Sequence, residues 1–176
     1  MSDDIQADAG HPGASYSPTG NPMKDGVGAA SWAKDRADRC DLTLAGAPRI
    51  QPMSVLGDSY HVHPSDPDPR GMHVVDAHGV DVGVVSDIWV DQAEPQIRYL
   101  TVTLAGGGTA LLPMGFAKVH KTHGHLKVEA LLAAHFSEVP MPKAPDRITL
   151  LEEDKVVAYY AGGYRYAEPS RLEPFF

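Results

Sequence analysis

The stretch from Val80 to Met114 limits this chain most. VDVGVVSDIWV, QIRYLTVTL and TALLPM follow one another there across short gaps. In QIRYLTVTL, Ile97, Tyr99, Thr101 and Thr103 face one side, and Arg98, Leu100, Val102 and Leu104 the other. That is the period of two of a strand. AGGGT (105–109) is a hairpin turn, and strands joined so tightly pair antiparallel. Gly83 predicts a bulge or bend in the first strand. MHVVD (72–76) precedes this group, and AKVHK and HLKVEA follow it, joined through THG (122–124). Six short strands with tight turns predict a small antiparallel barrel or a strongly coiled sheet.

The flanks read differently. Residues 1–30 are rich in Gly, Pro, Ser and Asp with no apolar period, which predicts a flexible tail, or one lying on a partner through Tyr16 and Trp32. Residues 31–71 predict extended chain with a turn at Gly46, since Pro48 and Pro52 break any helix, followed by a linker in which SDPDPRG alternates prolines with acids. The barrel with a short helix is expected over 72–140, the helix being EALLAAHFSE (129–138), which ends before Pro140. Residues 141–176 predict a C-terminal helix and tail. TLLEEDKVVAYYA (149–161) opens on a capping box, Thr149 with Glu152 three residues on. Its acids suit the positive helix end, and Gly162 and Gly163 are expected to stop it. Phe175 and Phe176 need cover from the core or from a partner. The fold class is mainly β with C-terminal helices.

Several functions are excluded or disfavoured by composition and motif. A net charge of −8 argues against nucleic-acid binding, which needs clustered Lys and Arg. Cys40 is the single cysteine, so no internal disulfide and no thiolate zinc cage can form. The longest uncharged run, Tyr99–Ala117, carries Gly106, Gly107 and Gly108 in its middle, then Pro113, with three threonines, so it reads as strands around a turn and not as a membrane span. No apolar leader follows the acidic start MSDDIQADAG. His61 with His63, and His120, His123 and His125, could chelate a surface ion, but no third ligand sits at a diagnostic spacing, so no metal site is expected. G-x-S-x-G, a phosphate loop and H-E-x-x-H are all missing. No catalytic residue is expected, and nothing points to an enzyme.

Asp87, Asp91, Glu94 and Arg98 crowd one strand-turn-strand corner, more ionisable groups than a small sheet needs to fold. The bland reading is a solvated turn with a weak ion pair, worth at most about 1 kcal/mol. The sharper one is a proton-handling group: Asp91 and Glu94 close together raise one pKa, and Arg98 fixes their geometry.

DVGVVSDIWVDQAEPQIRYLTVTL, TALLPMGFAKV and ITLLEEDKVVAYYAGGYRYAEP together resemble the H subunit of the photosynthetic reaction centre of purple-type bacteria, over roughly Trp32 to Phe176. SWAKDRADRCDLTLAGAPRIQPM is similar to the family's extended segment before its barrel, and LLEEDK followed by AYYAGG and YA-x-P is the most specific part. The resemblance implies a small antiparallel PRC-type β-barrel preceded by an extended segment, peripheral on the cytoplasmic face of the inner, photosynthetic membrane. It implies a non-catalytic subunit that caps the pigment- and quinone-binding L and M type subunits, stabilises the complex and helps proton transfer to the secondary quinone. The family's proton-transfer acids and arginine fall on Asp91, Glu94 and Arg98. No cofactor binds this chain directly on that reading; bacteriochlorophyll, bacteriopheophytin and quinones sit in the partner subunits, and a light-harvesting ring is a further expected neighbour. The family begins with a spanning helix that this sequence lacks, so a separate single-span polypeptide is expected to supply it. The family's surface histidine pair is also missing near Leu44 to Ala47. The alternative is a stand-alone PRC-barrel adaptor that binds a protein partner in the cytosol.

Overall fold

The computed structural model describes residues 5–7, 10–14, 16–18, 20–120 and 124–172. Strands β1 (Ile5–Ala7) and β2 (Tyr16–Pro18) pair with each other, antiparallel and apart from the main sheet. The main sheet holds β3 (Ile50–Pro52), β4 (His73–Val75), β5 (Asp81–Asp91), β6 (Gln96–Leu104), β7 (Thr109–Pro113), β8 (Lys118–His120) and β9 (His125–Lys127). A single turn of helix, α1 (Met53–Leu56), follows β3. The main helix is α2 (Leu150–Tyr166).

The six expected strands all form, and β3 adds a seventh. The strand order is β7-β6-β5-β4-β9-β8, with β3 also paired to β5. β5 is long enough to serve two partners on one edge, β4 along its first half and β3 along its last three residues. The sheet departs from the expected antiparallel barrel in two ways. β4 and β9 run parallel, a pairing of distant segments that no hairpin turn announces. The sheet also stays open, because β7 and β8 do not pair. Pro113 ends β7, and a 3-10 turn over Met114–Phe116 carries the chain on to β8. Phe116 then packs on Tyr160 of α2, ring centres 5.3 Å apart.

Gly83 makes the bend expected of it. Its φ is +154°, and a Cβ there would collide with the Thr103 carbonyl across the ladder. Register shifts follow in β5 between Val85 and Asp87 and between Trp89 and Val90. Each coils the strand and re-aims the residues beyond it. The core runs through Val74, Val85, Ile88, Leu100, Val102, Leu111 and Leu126, all buried.

The expected helix over 129–138 is shorter, a 3-10 helix over Ala133–Glu138. The backbone before it is held extended by outside partners. The Ala77 N–H donates to the Leu131 carbonyl, and the Ala133 N–H donates to Asp76 Oδ2 at 2.8 Å. α2 starts as expected: Thr149 Oγ1 accepts from the Glu152 N–H, and Glu152 accepts from the Thr149 N–H. It does not stop at Gly162 and Gly163 but continues to Tyr166. The glycines instead let other chain segments touch the helix. A Cβ on Gly162 would lie 2.6 Å from the Ala30 Cβ, and one on Gly163 would lie 2.5 Å from the Ala130 carbonyl oxygen.

Residues 20–30, expected as part of a flexible or partner-bound tail, pack here against the chain's own helix. Ala30 is fully buried, Met23 is buried, and Lys24 pairs with Glu138 at 3.0 Å. Trp32 rests over Gly26 with the Lys155 ammonium 5.8 Å from its ring. The tail composition is polar, yet its small residues fit a groove that larger ones could not. The Tyr16 side chain, His123, Phe175 and Phe176 lie outside the described residues.

Gly163→Ala gains roughly 1 kcal/mol of helix propensity and loses more to the clash with rigid backbone. A net loss of about 1–3 kcal/mol is expected, read from the denaturant midpoint. A stabilised variant would show that this close contact does not form.

Candidate functional site

The corner that concentrates charge is built by pairing, not by the turn alone. β3 lies beside the end of β5 with Ile50 opposite Asp91, which brings Arg49 over the 92–95 turn. The Gln92 N–H donates to the Arg49 carbonyl at 2.9 Å and locks that position. Arg49 Nε then donates to Asp91 Oδ1 at 2.8 Å. Its two terminal nitrogens lie 3.3 Å from Asp41 Oδ2 and 3.3 Å from Glu94 Oε1. One guanidinium thus serves three carboxylates.

Asp91 has no exposed side-chain surface. Its Oδ1 also accepts the N–H groups of Ala93 and Glu94, at 3.0 and 3.2 Å. Burial alone pushes its carboxyl up. The Arg49 hydrogen bond, helped by the two backbone donors, outweighs that and holds it below the usual carboxylate range. Oδ2 is buried with no hydrogen-bond partner among the described residues. The nearby cation is Arg98, whose Nη1 stands 3.7 Å away.

Arg98 Nη2 lies 3.6 Å from Oε2 of Glu153, in the first turn of α2. Oε2 accepts the Tyr99 hydroxyl at 2.8 Å. Burial raises the Glu153 carboxyl, against the lowering pull of Tyr99 and Arg98. Burial, and after it the carboxylate beside it, push the Tyr99 hydroxyl far up, so it remains a donor. Arg36, Asp41, Arg49, Asp91, Arg98 and Glu153 line a cleft of about 300 Å³ that opens to solvent.

The three sequence-predicted residues therefore come together, with two changes in their parts. Arg49, not Arg98, makes the hydrogen bond that holds Asp91 and also reaches Glu94. The carboxyl whose pKa is raised is Glu153, through its burial, whereas Asp91 is bound to a cation and held low. Asp87 lies elsewhere, accepting from the Ser54 hydroxyl. Arg49 and Glu153 escaped notice because pairing partners 42 and 54 residues apart leave no local pattern. LLEEDK shows as a helix start, and a helix start explains its acids without a second role.

Among the described residues no group of three or more His, Cys, Asp or Glu is placed to hold an ion. The rings of His120 and His125 stack 5.0 Å apart, and His63 Nδ1 meets the Ser65 hydroxyl. Among the described residues no helix is long and apolar enough to cross a membrane.

Two family models match along the chain. Residues 3–55 match the photosynthetic reaction centre H-chain N-terminal region, and residues 65–132 match the PRC-barrel domain. The chain is an H-subunit-like protein of the photosynthetic reaction centre, carrying a PRC-barrel domain. The cleft is composite in these terms. Arg49 comes from the H-chain region, Asp91, Glu94 and Arg98 from the PRC-barrel domain, and Glu153 from the helix beyond both. The PRC-barrel domain here is an open, coiled sheet completed by α2.

Asp91→Ala strands the Arg49 cation and two backbone N–H groups, and a loss of about 3 kcal/mol is expected. The depressed carboxyl makes the wild type lose this contribution as pH falls below about 3.9, the unfolded value, and on through the lower folded value. The variant's denaturant midpoint should therefore change less than the wild type's between pH 5 and strong acid. Equal acid sensitivity would remove Asp91 from the stability account.

Proposed function

We propose that the chain is a non-catalytic subunit of a bacterial photosynthetic reaction centre, seated on the cytoplasmic face of the membrane over the L and M type subunits, where it stabilises the complex and relays protons to the secondary quinone. The observation that carries this reading is the composite cleft, where buried acids and arginines meet in one solvent-open site, within a chain that matches the reaction-centre H-chain N-terminal region and, after it, a PRC-barrel domain. A quinone that has taken two electrons needs two protons to become the quinol. The chain's part is to pass protons along water ordered by the carboxylates Asp91 and Glu94, with Arg98 fixing their geometry; the pigments and quinones belong to the partner subunits. Asp91 is fixed as a charge by Arg49, and Glu94, exposed at the rim, meets solvent first.

The exposed apolar residues fit a subunit that is covered on assembly. Leu42 and Leu44 project from the loop that carries Asp41, and Val157 stands on α2 at the cleft wall. They would bring the cleft against a neighbour and keep bulk water from its edges.

Gentle purification of the tagged chain from solubilised membranes should bring down two pigment-binding subunits and bacteriochlorophyll absorption. A colourless protein found in the cytosol would favour the adaptor reading. In the complex, Glu94→Gln combined with Asp91→Asn should slow the second, proton-coupled electron transfer to the quinone by about tenfold or more and leave the first unchanged. Wild-type kinetics in that double variant would remove the relay role.

A further inference from the structure

Arg98 is suspended between two carboxylates and bonded to neither. Its Nη1 is 3.7 Å from Asp91 Oδ2 and its Nη2 is 3.6 Å from Glu153 Oε2. The two acceptors differ. Oδ2 of Asp91 is buried without a hydrogen-bond partner, whereas Oε2 of Glu153 already holds the Tyr99 hydroxyl. We propose that Glu153 is a proton-holding site and that Arg98 is its positioning residue, moving onto Asp91 Oδ2 when Glu153 takes up a proton. This deepens the relay reading and rests on it for the direction in which protons travel.

The argument is electrostatic. While Glu153 is ionised, two negative charges at similar distance pull one cation in opposite directions. A proton from cleft water, donated by hydronium and leaving water behind, lands on Glu153 Oε1, the oxygen Tyr99 does not engage. Glu153 then stops attracting Arg98. Asp91 keeps its charge through Arg49, so it draws Arg98 in. Closing from 3.7 Å to an ordinary hydrogen bond near 2.9 Å satisfies the orphaned oxygen, and an unmade bond to a buried charged acceptor is the costly state. Release of the proton reverses the move.

The groups that face Glu153 set the balance. Arg98 and Tyr99 come from β6, Asp91 from β5, and Arg36 from the segment before β3. Arg49 and Asp41 stand across the cleft, and Asp154 sits beside it on α2. Burial of the carboxyl and the Asp91 charge favour the protonated form, while Tyr99, Arg98 and Arg36 oppose it. Only 14% of the Glu153 side chain is exposed, but the cleft gives water a way in.

The test is a titration of the full chain labelled with carbon-13 in glutamate side chains and nitrogen-15 in arginine, Glu153 being assigned through Glu153→Gln. The Glu153 carboxyl should titrate above an unfolded-chain glutamate, and the Arg98 guanidinium signals should shift at the same midpoint. Arg98→Gln and Tyr99→Phe should each move the carboxyl midpoint further up. Asp91→Asn should move it down and abolish the linked Arg98 shift. Local unfolding would expose the carboxyl and carry the first two midpoints down instead, so a purely structural role predicts the opposite sign. A Glu153 that titrates at the ordinary value, or Arg98 signals that stay still across its midpoint, would overturn the inference. Glu153→Gln in the assembled complex then separates the two ideas: wild-type second electron transfer beside an intact titration removes the relay reading and leaves the proton site standing.

Discussion

Arg49 and Asp91 join two parts of the chain that sequence keeps apart, and the remainder of the site is arranged around their bond. A carboxylate with no exposed surface is stable only beside a cation or several donors. Asp91 has both. The guanidinium suits this because its planar fork offers separate N–H groups to Asp91, Asp41 and Glu94 at once. With that joint made, β3 is registered on β5, the 92–95 turn is pinned, and β6 leaves the turn with Arg98 and Tyr99 aimed at α2.

The helix is brought to this corner by its other end. Gly162 and Gly163 admit Ala30 and the Ala130 backbone to van der Waals range, and Arg171 donates to the carbonyls of both Ala130 and Gly163. A helix clamped so closely over its C-terminal half has little freedom to slide at its start, where Glu153 meets Tyr99. The segment around Ala30, the sheet and α2 are thereby one packing unit, although family matches divide the chain differently.

Local patterns revealed local structure. Alternation over Gln96–Leu104, the glycine hairpin and the Thr149–Glu152 capping box each reach a few residues, and each formed where the residues indicate. What the sequence hid was non-local. Nothing near His73 foretells a parallel partner at His125, and no signal at Pro113 says that the sheet stays open. Gly162 and Gly163 have a meaning in the sequence, the end of a helix, that differs from their use, because a glycine serves a close contact as readily as a left-handed turn. The site divides the same way: Asp91, Glu94 and Arg98 share one corner and were legible together, whereas Arg49 and Glu153 enter by tertiary pairing.

A site that handles protons needs one charge that stays and one that changes. Two equivalent carboxylates would share the proton between them and pass it nowhere in particular. Here the environments push the two apart: hydrogen bonds from Arg49 and the turn keep Asp91 ionised, and burial, against the pull of Tyr99 and Arg98, makes Glu153 readier to be neutral. The cation between them is bonded to neither. A tight ion pair with Glu153 would hold that carboxyl ionised and close it to protons, and a tight pair with Asp91 would leave Glu153 buried without compensation. The long distances of Arg98 are therefore the feature that keeps both protonation states of Glu153 within reach.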